Sequence, residues 1–146
     1  MLLDLLTKAT IDVQINAVNW EEAIRAGGLL LRKSGAIEQG YIDGMIRNMK
    51  NLGPYIVIAP GIAMPHARPE DGVNFLGLSL VTLRNPVSFG NKDNDPVKLV
   101  FCLAATDETK HVQAMAELVR LLSDSRKIKM IENAQTVTEV IQVISA

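Results

Sequence analysis

The chain has 146 residues, the size of one domain, and 48% of them are hydrophobic. Residues 1–146 are therefore expected to fold as one unit around a core that needs neither disulfide nor metal. The 15 Lys and Arg residues balance 16 Asp and Glu residues, and aromatic residues make up 4% of the chain. Such a chain offers little attraction for nucleic-acid phosphates, unstacked bases or an anionic membrane surface. We therefore expect no nucleic acid partner.

The N-terminal third predicts one strand followed by two helices. Apolar and polar residues alternate over residues 11–15, which is the pattern of a half-buried strand. Asn19 and Glu22 form a capping box that opens a helix over residues 20–34. A second amphipathic helix is indicated over residues 37–49 by apolar residues at helical spacing.

Three buried strands are predicted in the middle of the chain. They are short apolar and β-branched runs bounded by Pro, Gly, Asn and Asp, at residues 55–59, 75–83 and 98–105. Residues 85–96 between the last two runs are rich in turn-forming residues, with a short strand indicated at Val87–Phe89.

The C-terminal third predicts two further helices. The first begins after Asp107 and places five residues on one face, namely His111, Met115, Leu118, Val119 and Leu122. A turn at residues 123–125 ends it, and the capping box of Thr136 and Glu139 opens the last helix. Interleaved strands and helices predict an α/β three-layer sandwich. We expect a mixed, mostly parallel sheet of about five strands with helices on both faces.

Several kinds of site are excluded by what the sequence lacks. It contains no Gly-rich phosphate loop, no dinucleotide-binding fingerprint and no nucleophile elbow. His66, His111 and the single Cys102 match no zinc spacing, so neither a metal nor a cofactor is expected. Cys102 lies in an apolar run and is expected to be buried, which fits a reducing cytoplasm. The start of the chain is a poor signal peptide, and residues 51–65 are too short and too broken for a membrane span.

His66 is the first candidate for chemistry. It follows a proline within IAPGIAMPHARPEDG, residues 58–72, where Gly61, Ala63 and Ala67 would let main-chain N–H groups approach an anion. A rigid histidine beside such donors suits covalent catalysis, because imidazole can attack a phosphoryl group. The alternative is a structural histidine in a tight loop, the commoner role for a histidine at an arbitrary position.

His111 is the second candidate. It falls in the first turn of the helix after Asp107, just beyond the predicted strand 98–105. Ligands gather at the carboxyl ends of strands in such sheets, and helix N-termini attract anions there. His111 is therefore placed to face an anion, although it could instead only pack over Met115.

The charged residues near His66 leave their roles open. Arg68 could pair with phosphate oxygens or be solvated. Glu70 and Asp71 would repel a phosphate and could instead recognise a basic partner. Arg47 and Lys50 lie on the polar side of the second helix and are ordinary exposed residues unless the fold brings them round.

Residues 53–73, GPYIVIAPGIAMPHARPEDGV, resemble the enzyme IIA component of the phosphoenolpyruvate-dependent sugar phosphotransferase system, mannitol/fructose type. Within that family the resemblance is closest to the ascorbate-specific enzyme IIA. Further agreement comes from SLVTL at residues 79–83, DNDPV at 93–97 and AATDETKH at 104–111. The resemblance covers nearly the whole chain.

The resemblance implies a cytoplasmic phosphotransferase that works through a phosphohistidine. His66 would take a phosphoryl group from the carrier protein HPr and pass it to enzyme IIB, which serves a membrane enzyme IIC. His111 would stabilise the phosphoryl group. Arg47 and Lys50 both lie near the place of the family's assisting arginine, so that role stays unassigned, and Arg47 and Arg68 are candidates for phosphate or partner contacts.

Two other functions remain open at this point. One is a regulatory module of the same fold, whose phosphorylation state controls a transcription factor or a transporter. The other is an α/β domain that binds a small molecule and uses both histidines only structurally.

Overall fold

A computed structural model describes residues 2–146 of the chain. The strands are β1 (Ile11–Ile15), β2 (Val57–Ala59), β3 (Ile62–Ala63), β4 (Gly77–Val87) and β5 (Val97–Ala104). The helices are α1 (Leu2–Leu5), α2 (Trp20–Lys33), α3 (Gln39–Leu52), α4 (Glu108–Leu122), α5 (Ser125–Asn133) and α6 (Val137–Ser145), with a 3-10 turn at Pro69–Asp71. The predicted caps Asn19 and Thr136 each accept a hydrogen bond from the first turn of their helix, and Asp107 does the same at the start of α4.

Within residues 2–146 the strands form one mixed sheet of five, in the order β1-β4-β5-β3-β2. The β1–β4 and β3–β5 pairs are parallel, whereas β4–β5 and β2–β3 are antiparallel. Strands β4 and β5 run antiparallel because a loop without a helix joins them, so the chain turns straight back. The parallel β3–β5 pair brings the carboxyl ends of these two strands to the same edge of the sheet.

Helices cover both faces of the sheet, as predicted. Alternate residues of the central strands β4 and β5 point to opposite sides, and both sides are buried. One side packs with α2 and α3, through Val81, Leu83, Val100, Cys102 and Ala104. The other packs with α1, α4, α5 and α6, through Leu78, Leu80, Leu99, Phe101 and Leu103. Cys102 is a buried free thiol, as expected.

Some predicted boundaries are wrong. Residues 85–87 continue β4 and do not begin the loop. Val119 is 50% exposed, because α4 is rotated so that Ala114, Leu118 and Leu121 face the sheet. Helix α5 was missed: its nine residues carry only two buried side chains, too few to establish a helical period.

Candidate active site

His66 lies in the loop that follows β3 and is half-buried there. The Leu103 N–H of β5 donates to the Pro65 carbonyl at 3.1 Å, so the loop is attached to the end of the neighbouring strand. The His66 Nδ1 lies 3.0 Å from the Met64 carbonyl oxygen. Because a carbonyl oxygen only accepts, Nδ1 is the donor and carries the proton. In the neutral ring this leaves the Nε2 lone pair unprotonated.

His111 lies in the first turn of α4, and the structure brings it to His66. The two ring centroids are 6.0 Å apart, with the ring planes at 77°. They meet because β3 and β5 are parallel neighbours: one histidine follows each strand at the shared edge. The two candidates therefore form a single site.

His111 is half-buried in this pair, and its surroundings favour the neutral ring. Burial lowers the pKa of His111, and the nearby charge of protonated His66 lowers it further, while Glu108 acts in the opposite direction. A neutral imidazole keeps one N–H donor and one acceptor. His111 can therefore donate a hydrogen bond to an anion at neutral pH without first taking up a proton.

Tyr41, on α3, holds in place the loop that follows β3 and carries His66, here called the histidine loop. Its side chain is 1% exposed, and its hydroxyl donates to the Leu103 carbonyl at 2.6 Å. The same oxygen accepts the Ala67 N–H at 2.9 Å. Burial raises the pKa of Tyr41 far above its ordinary value, so the phenol stays protonated and keeps both bonds. The sequence pattern had indicated Tyr41 only as an apolar residue of the second helix.

The N–H groups of the three small residues in the loop around His66 are already paired, so these three offer no donor to an anion. The Gly61 N–H donates to the Asn94 carbonyl at 2.8 Å, and the Ala67 N–H is taken by Tyr41. Ala63 is paired within the sheet. In the first turn of α4 the Lys110 N–H donates to the Asp107 carboxylate and the His111 N–H to the Asp107 carbonyl. The N–H groups of Glu108 and Thr109 are therefore the ones left without an intrahelical partner.

A cavity on the α3 side of His66 contains both predicted arginines. Its lining residues are Arg47, Asn48, Asn51, Leu52, Tyr55, His66, Ala67, Arg68 and Asp71. Arg47 Nη2 lies 3.1 Å from Asp71 Oδ1. Lys50 is not in this lining, and its Nζ lies 3.4 Å from Glu21 Oε1. The sequence left the roles of two basic residues on α3 unassigned, and of these two Arg47 is therefore the one at the histidine site.

Two residues of this cavity were missed by sequence reasoning. The Asn48 side-chain amide donates to the His66 carbonyl at 3.5 Å. The Tyr55 ring makes an edge contact with the His66 ring, with centroids 5.7 Å apart, and β2 begins only at Val57. The polar residues 47, 48 and 51 share one side of a helix, and this spacing was the signal that could have revealed that surface.

No group of three or more His, Cys, Asp or Glu residues that could hold a metal ion occurs among residues 2–146. Over the same residues, the helices are all too short or too polar to cross a membrane.

Replacing Tyr41 with Phe should loosen the histidine loop. The Leu103 carbonyl and the Ala67 N–H would both lose their partner in a buried place, which costs about 1–3 kcal/mol per group. We expect a lower free energy of unfolding in urea and faster hydrogen exchange at the Ala67 amide. Tyr55→Phe is the matched control, since Tyr55 is 46% exposed and should tolerate the change. Equal effects of the two substitutions would contradict the anchoring role.

The titration of His111 can be followed by NMR of its ring protons. Its midpoint should lie below the ordinary histidine value of about 6.5. His66→Gln removes a neighbouring positive charge and should move the midpoint up, whereas Glu108→Gln removes a negative charge and should move it down. Shifts of the same sign in the two variants would show that the assigned charges do not control His111.

Known proteins resemble this chain over nearly its full length. Residues 4–146 match the family described as phosphoenolpyruvate-dependent sugar phosphotransferase system, EIIA 2. The ascorbate-specific PTS system EIIA component of Escherichia coli K12 is 38% identical over 136 residues, covering 92% of this chain and 88% of that protein.

Solved structures agree with the sequence match. The mannitol-specific cryptic phosphotransferase enzyme IIA of Escherichia coli has a TM-score of 0.88 at 35% identity, over 97% of this chain and 96% of that one. Enzyme IIA in the Escherichia coli complex of mannitol enzyme IIA with phosphorylated mannitol enzyme IIB has a TM-score of 0.84 at 29% identity, over 97% and 99%. The chain therefore belongs to the EIIA 2 family of the phosphoenolpyruvate-dependent sugar phosphotransferase system, which confirms the resemblance inferred from its motifs.

Proposed function

We propose that this protein carries a phosphoryl group on His66 Nε2, accepts it from phosphorylated HPr and passes it to an enzyme IIB. The observation that carries the proposal is the hydrogen bond from His66 Nδ1 to the Met64 carbonyl at 3.0 Å. It holds the proton on one ring nitrogen and leaves the other as the nucleophile. That nucleophile is part of a ring 6.0 Å from His111.

The reaction needs no proton to move. The Nε2 lone pair attacks phosphorus, the Nε2–P bond forms, and the N–P bond of the donor histidine breaks. The electron pair of that broken bond stays with the donor imidazole, which leaves neutral because its other ring nitrogen already carries a proton. His66 keeps its proton on Nδ1, where the Met64 carbonyl continues to accept it and stabilises the positive charge now shared by the ring.

His111 and the nearby cations stabilise the phosphoryl oxygens. Neutral His111 donates its N–H, and the first turn of α4 adds favourable backbone dipoles. We assign Arg47 as a guanidinium contact to the phosphoryl group, because it lines the same cavity as His66. Arg68 lines that cavity too and contacts either the phosphoryl group or the partner protein.

The partners dock around the histidines by this proposal. Leu52 and Val112 are 66% and 63% exposed beside the two sides of the site, and Tyr55 lies against His66. Small exposed apolar surfaces suit brief encounters with two different partners. The solved complex of a related enzyme IIA with a phosphorylated enzyme IIB supports the acceptor. Enzyme IIB in turn serves a membrane enzyme IIC, and the carrier proposed here works in the cytoplasm.

Phosphorylation of His66 is tested by incubating the protein with phosphoenolpyruvate, enzyme I and HPr. The wild type should gain one acid-labile phosphoryl group, and His66→Gln should gain none because it lacks the nucleophile. His111→Gln should still be labelled, but about 10²-fold more slowly, as expected for the loss of one oxyanion donor. Circular dichroism verifies that both variants fold. Labelling of the His66→Gln variant would contradict the assignment of His66 as the phosphorylated residue.

The acceptor and sugar class are tested with purified enzyme IIB proteins. The ascorbate-specific relatives support uptake of ascorbate or a related sugar acid. The phosphorylated protein should therefore pass its label to the enzyme IIB of an ascorbate system faster than to that of a mannitol system. Equal or reversed rates would remove the support for ascorbate while leaving the role of His66 intact.

A further inference from the structure

Asp71 is fixed in place beside the His66 cavity. Its Oδ1 pairs with Arg47 at 3.1 Å, and its Oδ2 accepts the Arg68 N–H at 3.2 Å. The 3-10 turn that carries it packs against α3 where two glycines leave room. A Cβ added at Gly44 would lie 3.0 Å from Asp71 Oδ2, and one added at Gly40 would lie 2.9 Å from the Asp71 carbonyl oxygen.

The two side chains of the Arg47–Asp71 ion pair differ in how freely they can move. The Arg47 side chain is 53% exposed and the Asp71 side chain only 24%. An arginine stem is long and flexible, whereas the Asp71 carboxylate is held by a backbone N–H and by contact with α3. If the pair opens, Arg47 is therefore the partner that moves.

A phosphoryl group on His66 changes the charge balance of the cavity. Before phosphorylation, Asp71 offers one negative charge to Arg47. The phosphoryl group itself carries a charge of about −1.5 to −2, which exceeds the positive charge of the ring that bears it, and it offers several acceptor oxygens that a guanidinium binds in a bidentate way. The stronger acceptor draws Arg47 away, and Asp71 then faces the phosphoryl group as a like charge.

We propose that Asp71 and the phosphoryl group on His66 compete for Arg47, so that phosphorylation opens the Arg47–Asp71 pair. This inference rests on the proposed function and makes Asp71 a positioning residue. By holding Arg47 and by repelling the phosphoryl group, Asp71 limits how tightly His66 keeps it. A carrier has to release what it accepts, and Asp71 keeps phosphorylated His66 ready to hand the group on.

The test is the equilibrium of phosphoryl exchange between HPr and this protein, measured by ³¹P NMR. Asp71→Asn preserves the shape of the side chain and its bond to the Arg68 N–H. It should shift the equilibrium toward the phosphorylated protein by about threefold to tenfold, the effect of removing one partly screened charge. Onward transfer to enzyme IIB should slow. Structural damage would lower phosphorylation, so an increase identifies the proposed role.

Glu70→Gln is the matched control, because it removes the same charge one position away. Glu70 is exposed, and the residues the structure describes form no ion pair with it. The equilibrium constant for phosphoryl exchange between HPr and the Glu70→Gln variant should stay within about twofold of the wild-type value. In an Arg47→Gln background the effect of Asp71→Asn should shrink, since competition for the guanidinium is gone and only repulsion remains.

A direct readout needs no variant. The guanidinium signals of Arg47 in the wild-type protein should shift when His66 is phosphorylated. Unchanged signals, or equal equilibrium constants for Asp71→Asn and Glu70→Gln, would overturn this inference alone. A wild-type protein that gains no phosphoryl group would overturn the proposed function and the inference together.

Discussion

A single buried hydroxyl group joins the two halves of the site. Tyr41 donates to the carbonyl of Leu103, the next-to-last residue of β5, and accepts the N–H of Ala67, the residue after His66. One oxygen atom can do both, and its burial keeps water from competing for either bond. The spacing between strand end and histidine loop is thus set by a side chain of α3. Because α3 also carries Arg47 and Asn48, the same helix positions His66 and the groups around it.

In this arrangement, paired N–H groups of the loop that carries His66 hold the loop in place. Stabilising the charge of a bound anion therefore depends on side chains and on the N-terminus of α4. Side chains such as Arg47 and His111 can adjust to an arriving anion and can be opposed by a neighbour such as Asp71. A cradle of fixed backbone donors would bind a phosphoryl group tightly and hold it. Under the proposed function, the observed site would hold the phosphoryl group less tightly than such a cradle, as a protein that accepts the group from one partner and gives it to another requires.

The features predicted correctly from the sequence are those with a repeating or local signature. The strands of the sheet centre, the helices α2, α4 and α6, the caps of α2 and α6, and the convergence of His66 and His111 follow from local sequence patterns and from the rule that sites form at strand ends. Tyr41, Asp71 and Asn48 were missed or given another role, because each has a partner that lies 18 to 62 residues away in sequence. An apolar helix position hides a tyrosine hydroxyl, and no local pattern shows that Gly44 leaves room for the Asp71 carboxylate and Gly40 for its carbonyl oxygen.

The loop between β4 and β5 supports the edge of the sheet in a similar way, through side-chain hydrogen bonds to distant backbone groups. Asn91 donates to the Pro54 carbonyl at 3.2 Å and Asn94 to the Val57 carbonyl at 3.0 Å, on either side of Tyr55. Asp95 orders that loop by accepting backbone N–H groups of residues 89, 90 and 91. Burial raises the pKa of Asp95, but these hydrogen bonds outweigh it and hold the pKa below its ordinary value. Strand β2 is only three residues long, so side chains of a distant loop supply the support that its short ladder lacks, and Tyr55 is kept against His66.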